Sequence, residues 1–447
     1  MLYVEASRII SIARHKKGSV KSLVNSSKLK NKKQLNALVC GTLKYASITA
    51  QIIKDTKLLQ HEKYLKKKPI LAEILVYEHL FGKGLKCGVK LKSAIYSHKN
   101  ALQAALSRLK VKAKVKDAED LLPQQVKQQV LLPRYVRVNL LKSSVDDVIQ
   151  QFKAQGFTLT LSREEADEKV KRLSNSKMIS DLAVSLIESL KPKQFMVDIH
   201  LFDVLIFPPK TDLHDHVLYS NGHIILQDKA SCIPAHVLSP TPGSHVIDAC
   251  AAPGNKTSHL SSLMNNTGKI FAFDLDSKRL GTMRNLMGKA GVVNSQLYNE
   301  DFLRINPENS CYQKVEFILV DPSCSGSGIV SRNNHFTEDT ESDNGYSKKR
   351  LQSLMNFQLK ILNHALTFPR VKRVVYSTCS YNVEENETVV QKALHSNKKF
   401  VLRKALSTWD HRGINESNVG QFCIRASPKD DKTNGFFVAL LERKETE

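Results

Sequence analysis

The apolar positions fall into three regimes along the chain. Over residues 1–130 they recur at helical spacing. "QLNALVCGTLKYASITAQII" (34–53) and "KPILAEILVYEHLFG" (68–82) each predict helix, with Pro69 near a helix start and Gly82 and Gly84 fitting a stop. "LLPQQVKQQVLLP" (121–133) reads as a connector. Residues 134–220 then change character. "RYVRVNL" (134–140) alternates and predicts a strand. "SSVDDVIQQFKAQGF" (143–157) predicts a helix capped by Ser143 or Ser144 and ended at Gly156. "FDVLIFPP" (202–209) predicts a strand closed by Pro208 and Pro209. These elements make a small α+β module.

From about residue 221 short apolar runs alternate with helical ones. "HVIDACA" (245–251), "KIFAFDLD" (269–276), "SQLYNED" (295–301), "VEFILVDPS" (315–323) and "VKRVVYSTC" (371–379) predict strands. "KTSHLSSLM" (256–264) and "SKRLGTMRNLMGKAG" (277–291) predict helices between them. This order predicts an α/β fold, a parallel sheet covered on both faces. "GQFCIRASP" (420–428) and "NGFFVALLE" (434–442) predict a closing hairpin. The stretch 331–349, "SRNNHFTEDTESDNGYSKK", is polar, acidic and aperiodic, and predicts a mobile insertion. The expected organisation is a basic helical region at 1–130, the small module at 131–220 and a Rossmann-like domain at 221–447.

Charge adds a partner. The formal net charge is +24 over 447 residues, and residues 1–130 hold 27 Lys/Arg against 8 Asp/Glu. The densest clusters are "KLKNKK" (28–33), "KYLKKK" (63–68) and "RLKVKAKVK" (108–116). Such a front suits a polyanion, and phosphate contacts of this kind do not read sequence. The first two clusters also suit a nuclear or nucleolar address. No apolar run is long enough to span a bilayer, so no membrane role is expected. The eight cysteines include no C-x-x-C pair, and His214, His216 and His223 lack metal-ligand spacing, so no metal site is expected. Free thiols imply a reducing compartment.

The loop after the first parallel strand, "DACAAPGNKT" (248–257), is built of small residues, which let backbone approach a ligand closely. A P-loop needs glycine directly before its lysine, and here Asn255 precedes Lys256. A dinucleotide fingerprint needs three glycines, and only Gly254 is present. S-adenosylmethionine (SAM) remains. Asp274 and Asp276 then stand where an acidic side chain would meet ribose hydroxyls, and Asp301 where one would meet an adenine amino group. Each has a plainer reading as a turn or cap residue.

Two cysteines follow apolar strands in similar settings, Cys324 in "VDPSCSGSG" (320–328) and Cys379 in "YSTCSYNVEENE" (376–387). Adjacent parallel strand ends would bring them to one pocket. That pair matches a known chemical need. Carbon 5 of a pyrimidine is a poor nucleophile until a thiolate adds to carbon 6. After methylation the carbon 5 proton must leave so that the thiolate can be eliminated. Asp321 stands where it could hydrogen-bond N3 of such a ring.

Together "PRYVRVN", "DACAAPGNKT", "FAFDLD", "LVDPSCSGSG", "YSTCSYNVEENE" and "GFFVALLER" resemble the Sun-domain RNA (cytosine-5)-methyltransferase family over roughly 131–445. The likeness is to its fifth-member type, associated with large-subunit (25S/28S) ribosomal RNA. The resemblance implies a Rossmann-like SAM-dependent methyltransferase domain behind an RNA-recognition-like module. It implies that Cys379 is the nucleophile and that Cys324 promotes product release. Cys250, Ala251, Ala252, Pro253, Gly254, Asn255, Lys256, Asp274, Asp301 and Asp321 would bind SAM, with Lys256 lying between cofactor and substrate. Many relatives have glycine where Asn255 stands. Glu384, Glu385 and Glu387 are expected to complement a helix dipole, and Trp409 to lie in the core.

The resulting expectation is an enzyme that forms 5-methylcytosine in RNA, with large-subunit rRNA as substrate, acting as a monomer in the nucleolus on rRNA or a pre-ribosomal particle. The alternatives are a transfer RNA cytosine-5 methyltransferase and a non-catalytic RNA-binding ribosome-assembly factor.

Overall fold

A computed structural model describes residues 1–15, 20–122, 131–330, 344–414 and 418–445. The chain divides into two compact units, one built chiefly on Met1–Gln129 and the other on Val130–Ile329 with Gly345–Glu447. Most of the expected connector and most of the expected 331–349 insertion lie outside the described residues.

The first unit is helical. Its centre is the helix Pro69–Leu80, opened by Pro69 in its first turn and burying Leu71, Ala72, Ile74, Leu75 and Val76. Around it pack Leu2–Arg14, Lys32–Lys44 and Ala46–Asp55. The apolar run 34–53 is therefore two helices rather than one, broken at Tyr45. Asn31 caps the first through a hydrogen bond from Gln34 N. The Arg14 guanidinium pairs with Glu73 at 3.1 and 2.6 Å.

The second unit holds two sheets. The small one comprises β1 (Arg134–Val138), β2 (Thr158–Leu159), β3 (Gln194–Val197), β4 (Val204–Phe207) and β5 (Ile224–Ile225), in the order β2-β3-β4-β1-β5. The helix Val145–Ala154 packs on it. Ser144, not Ser143, is its cap, in a reciprocal box with Asp147. Gly156 follows with φ +83°.

The large sheet comprises β6 (His245–Asp248), β7 (Lys269–Phe273), β8 (Ser295–Tyr298), β9 (Val315–Val320), β10 (Arg373–Thr378), β11 (Phe400–Arg403), β12 (Ile424–Ala426) and β13 (Phe436–Arg443). Its order is β11-β13-β10-β9-β6-β7-β8. β6 to β10 run parallel, as their near-continuous apolar sequences require. β13 lies antiparallel between β10 and β11, and β12 pairs with it as the expected hairpin. The chain leaves β6 for β7 and β8, then crosses back to β9. The strand order therefore reverses between β6 and β9, which is where ligands bind in open α/β sheets.

The small module is seated on this sheet by buried polar contacts. Asn139 Nδ2 donates to the carbonyls of Gly222 and Ala290, both at 2.8 Å. Tyr135 donates from its hydroxyl to Lys432 O at 3.0 Å. Between them the Asp203 carboxylate accepts from His236 Nε2 at 2.7 Å and His259 Nε2 at 2.9 Å. Trp409 is 1% exposed and belongs to the core, as its sequence setting suggests.

Candidate active site

Every expected site residue except Asn255 and Lys256 lies in a loop at the carboxyl end of a parallel strand. The loop after β6 runs from Ala249 to Gly254, and the helix Asn255–Leu263 follows directly. Gly254 has φ +104°, and a Cβ there would come within 2.6 Å of Met287 and 2.8 Å of Met283. Glycine is required for both reasons. Lys256 stands in the first turn of that helix and points back toward β9. Its Nζ donates to Asp321 Oδ2 at 2.7 Å, and Ser377 Oγ donates to Asp321 Oδ1 at 2.8 Å. Burial works against the ammonium, but the carboxylate outweighs it, and the Lys256 pKa is raised. Lys256 therefore carries its charge here.

Asp274, at the end of β7, is 7% exposed. It accepts from Ala252 N at 3.0 Å and from Asp276 N at 2.9 Å, so it shapes the loop after β6 directly. Asp276 takes the plainer of its two readings. It caps the helix Ser277–Ala290 by accepting from the amides of Lys278 and Arg279. Asp301, after β8, accepts from Leu303 N at 3.0 Å and caps a single 3-10 turn. Asp248 ends β6, and burial raises its pKa to about 6 while Thr257 donates to it at 2.7 Å.

The two cysteines meet. Cys324, four residues after β9, and Cys379, directly after β10, have their sulfurs 3.1 Å apart. The Cys324 pKa is raised well above the usual thiol value, first by its hydrogen bond to Cys379 and then by burial. The Cys379 sulfur lies close enough to the Lys256 ammonium for the two to attract. Burial first, and then neighbouring carboxylates, push the Cys250 and Cys232 thiols well above their usual value.

Three groups in this region carry more than their sequence setting implies. Glu385 was expected to serve a helix dipole; it is instead fully buried and accepts five hydrogen bonds from around the cysteine loops. Glu387 opens the helix Glu387–Ser396 and is also engaged elsewhere, accepting from Arg425 at 2.7 and 2.8 Å. Arg137, on β1, donates to Gln227 Oε1 at 2.8 Å, Ser258 Oγ at 2.7 Å and Asn255 O at 3.3 Å.

The donor set fits SAM. Its ammonium and ribose hydroxyls suit carboxylates at successive strand ends, and its carboxylate suits the amides that open the helix Asn255–Leu263.

The comparisons agree along the whole chain. Residues 235–442 match the family described as 16S rRNA methyltransferase RsmB/F. Residues 33–122 match the N-terminal domain of NOL1/NOP2/Sun domain family member 5, and residues 132–187 and 184–227 its ferredoxin-like domain. A 28S rRNA (cytosine-C(5))-methyltransferase of Mus musculus is 46% identical over 99% of this chain and 91% of its own. A 25S rRNA (cytosine-C(5))-methyltransferase of Schizosaccharomyces pombe is 39% identical over 100% of this chain and 92% of its own. Among solved structures, the crystal structure of PH0851 shares the fold with a TM-score of 0.63 at 21% identity, covering 98% of each chain. The chain is a SAM-dependent methyltransferase that belongs to the NOL1/NOP2/Sun domain family, in its member 5 type.

Proposed function

We propose that this enzyme methylates carbon 5 of a cytosine in large-subunit rRNA, with Cys379 as the attacking thiolate and Cys324 as the group that promotes release. The observation that carries the assignment is the 3.1 Å contact between the two sulfurs, with the Lys256 ammonium beside Cys379. An anion on Cys379 is stabilised from both sides, which is what an attacking sulfur needs.

The Cys379 sulfur adds to carbon 6 and makes carbon 5 nucleophilic. SAM supplies the electrophilic methyl group. Lys256, neutralised in part by Asp321, holds positive charge next to the reacting ring, and Asp321 is fixed by Ser377 on its other oxygen. Carbon 5 then gives its proton to solvent water, the C–H electrons re-form the double bond between carbons 5 and 6, and the carbon–sulfur pair returns to Cys379 as the thiolate. Cys324 stands at the sulfur that must leave and promotes this last step.

The rRNA substrate is supported by the names of relatives aligned over nearly the whole chain and by the basic helices at its front. A pre-ribosomal particle in the nucleolus is the matching place of action, and the chain acts there as a monomer.

A denaturing gel of enzyme mixed with large-subunit rRNA and SAM tests the cysteine roles. Cys324→Ala should accumulate an RNA–protein adduct, and adding Cys379→Ala should abolish it. An adduct that depends on Cys324 instead would reverse the roles. Label appearing in transfer RNA but not in ribosomal RNA would reject the substrate.

A further inference from the structure

We propose that Glu385 is a positioning residue that clamps the two cysteine loops to each other and so sets the separation of the Cys324 and Cys379 sulfurs. Its importance for turnover rests on the covalent reading above; the clamp itself does not.

Glu385 is 0% exposed, so its carboxylate does not reach substrate. Oε1 accepts from Ser325 N at 2.8 Å and Gln358 Nε2 at 3.0 Å. Oε2 accepts from Ser325 Oγ at 2.6 Å, Ser380 Oγ at 2.5 Å and Asn382 Nδ2 at 2.8 Å. Ser325 directly follows Cys324, and Ser380 directly follows Cys379. One carboxylate therefore bonds the neighbour of each cysteine.

The hold extends to the other neighbours. Gln358 Nε2 also donates to Ser323 O at 3.1 Å, so Cys324 is fixed on both sides. Asn386, next to Glu385, accepts from Thr378 Oγ1 at 2.5 Å and donates to Ser380 O at 2.9 Å, so Cys379 is too. Tyr376 donates to Glu385 O at 2.6 Å and ties the turn to β10.

An ionised carboxylate suits this place because it only accepts. Five donors converge on about four lone-pair sites, which a glutamine could not satisfy without turning an N–H₂ against other donors. Burial opposes the charge, but the hydrogen bonds outweigh it and hold the Glu385 pKa below its usual range. The carboxylate therefore stays ionised and the clamp stays closed at neutral pH.

The test reads sulfur separation without RNA. Dibromobimane fluoresces only after it has joined two neighbouring thiols, and the part of its signal lost in Cys324→Ala reports this pair. The full chain is compared as parent, Glu385→Gln, Glu385→Ala and the double variant Ser325→Ala/Ser380→Ala. In Glu385→Gln, which keeps the shape of the side chain, the cross-linking rate should fall about tenfold and methylation about 100-fold, the scale of an ångström-sized misplacement. SAM affinity should stay within about threefold, because no member of the clamp belongs to the loop after β6. The serine double variant should show a smaller loss of the same kind, and it decides together with Glu385→Gln if Glu385→Ala does not fold. Cross-linking and turnover both within about twofold of the parent in Glu385→Gln would overturn the clamp. So would loss of SAM binding in step with them, which marks a general structural role. Slower cross-linking with unchanged methylation would uphold the clamp and sink the covalent reading instead.

Discussion

Arg137, on the central region of the small sheet, donates to Ser258 Oγ at 2.7 Å in the helix that follows the cofactor loop. The same guanidinium nitrogen reaches Asn255 O at 3.3 Å. The RNA-recognition-like module and the SAM loop thus share a buried side chain, 0% exposed. Burial lowers the Arg137 pKa, and Nη1 has no hydrogen-bond partner among the described residues. Removing this charge relieves a desolvation cost and also removes donors. Arg137→Met should therefore leave the unfolding midpoint nearly unchanged while SAM binding weakens about tenfold, the worth of one charge-assisted hydrogen bond. Calorimetric titration with SAM checks this, and an unchanged dissociation constant would show that the loop does not depend on the module.

Lys256→Met should reduce methylation about 100-fold, as removal of one preorganised charge at a reacting centre does. Asp321 would keep only Ser377 as its hydrogen-bond partner in the present contact. Single-turnover rates with saturating RNA and SAM separate this from a binding defect. A rate within a few-fold of the parent would remove Lys256 from the chemistry.

Gly254→Ala places a methyl group against Met287 and Met283 at φ +104°. The loop must shift, because the left-handed conformation and the contact both penalise a side chain. We expect a stability loss of about 1–2 kcal/mol and a larger relative loss in SAM affinity. Urea unfolding and SAM titration on the same preparation give the two numbers, and equal affinity in the variant would show that the loop tolerates displacement.

Acid should destabilise the fold well above the carboxylate range. Burial, first, and then the Lys229 charge hold the His200 pKa near about 3. Burial also holds His259 near about 3, with Arg137 and His236 opposing its charge and Asp203 favouring it. Between the ordinary value of 6.5 and about 3, the unfolded chain binds these protons and the folded chain does not. Stability must then fall as pH falls, by about 1.4 kcal/mol per pH unit for each ring inside that window. His411 works the other way. Its pKa is raised by the hydrogen bond it donates to Asp431, so its contribution is present below 6.5 and is lost as pH rises. His79, His216, His245 and His364 are lowered in the same direction, so the depressed rings outweigh the one raised ring. Urea midpoints should drop steadily from pH 7 to pH 5, and His259→Gln should remove about 1.4 kcal/mol per pH unit from the slope of stability below 6.5. A flat profile in the parent would mean that these rings are accessible to protons in the folded state.

The sequence made the strands after residue 221 legible because buried parallel strands are short apolar runs with loops of distinctive chemistry at one end. Cys324 and Cys379 could be placed together for that reason alone. The placement of Gly254, Asp274 and Asp321 after parallel strands was legible in the same way. Glu385 was not, because "VEENE" carries the local pattern of a helix start and three of its five donors come from Ser325 and Gln358, which only the tertiary fold brings near. Asp276 shows the opposite case. Its spacing suited ribose, but the nearest unsatisfied groups are the amides of its own helix, and a local hydrogen bond costs less chain entropy than a distant one. Arg137 sat inside an alternating strand and gave no sign that its side chain leaves the module. The division of 34–53 at Tyr45 was invisible to periodicity, since both halves keep the same spacing.

Strand β13 is inserted between β10 and β11, and it is synthesised after both. While a ribosome makes this chain, β10 and Cys379 exist before Phe436–Arg443 do. Until those residues emerge, β10 presents an open row of amides and carbonyls with apolar side chains on either side, a ready template for pairing with another nascent chain. Cys379 therefore follows a strand whose flank is left bare until nearly the last residues of the chain are made.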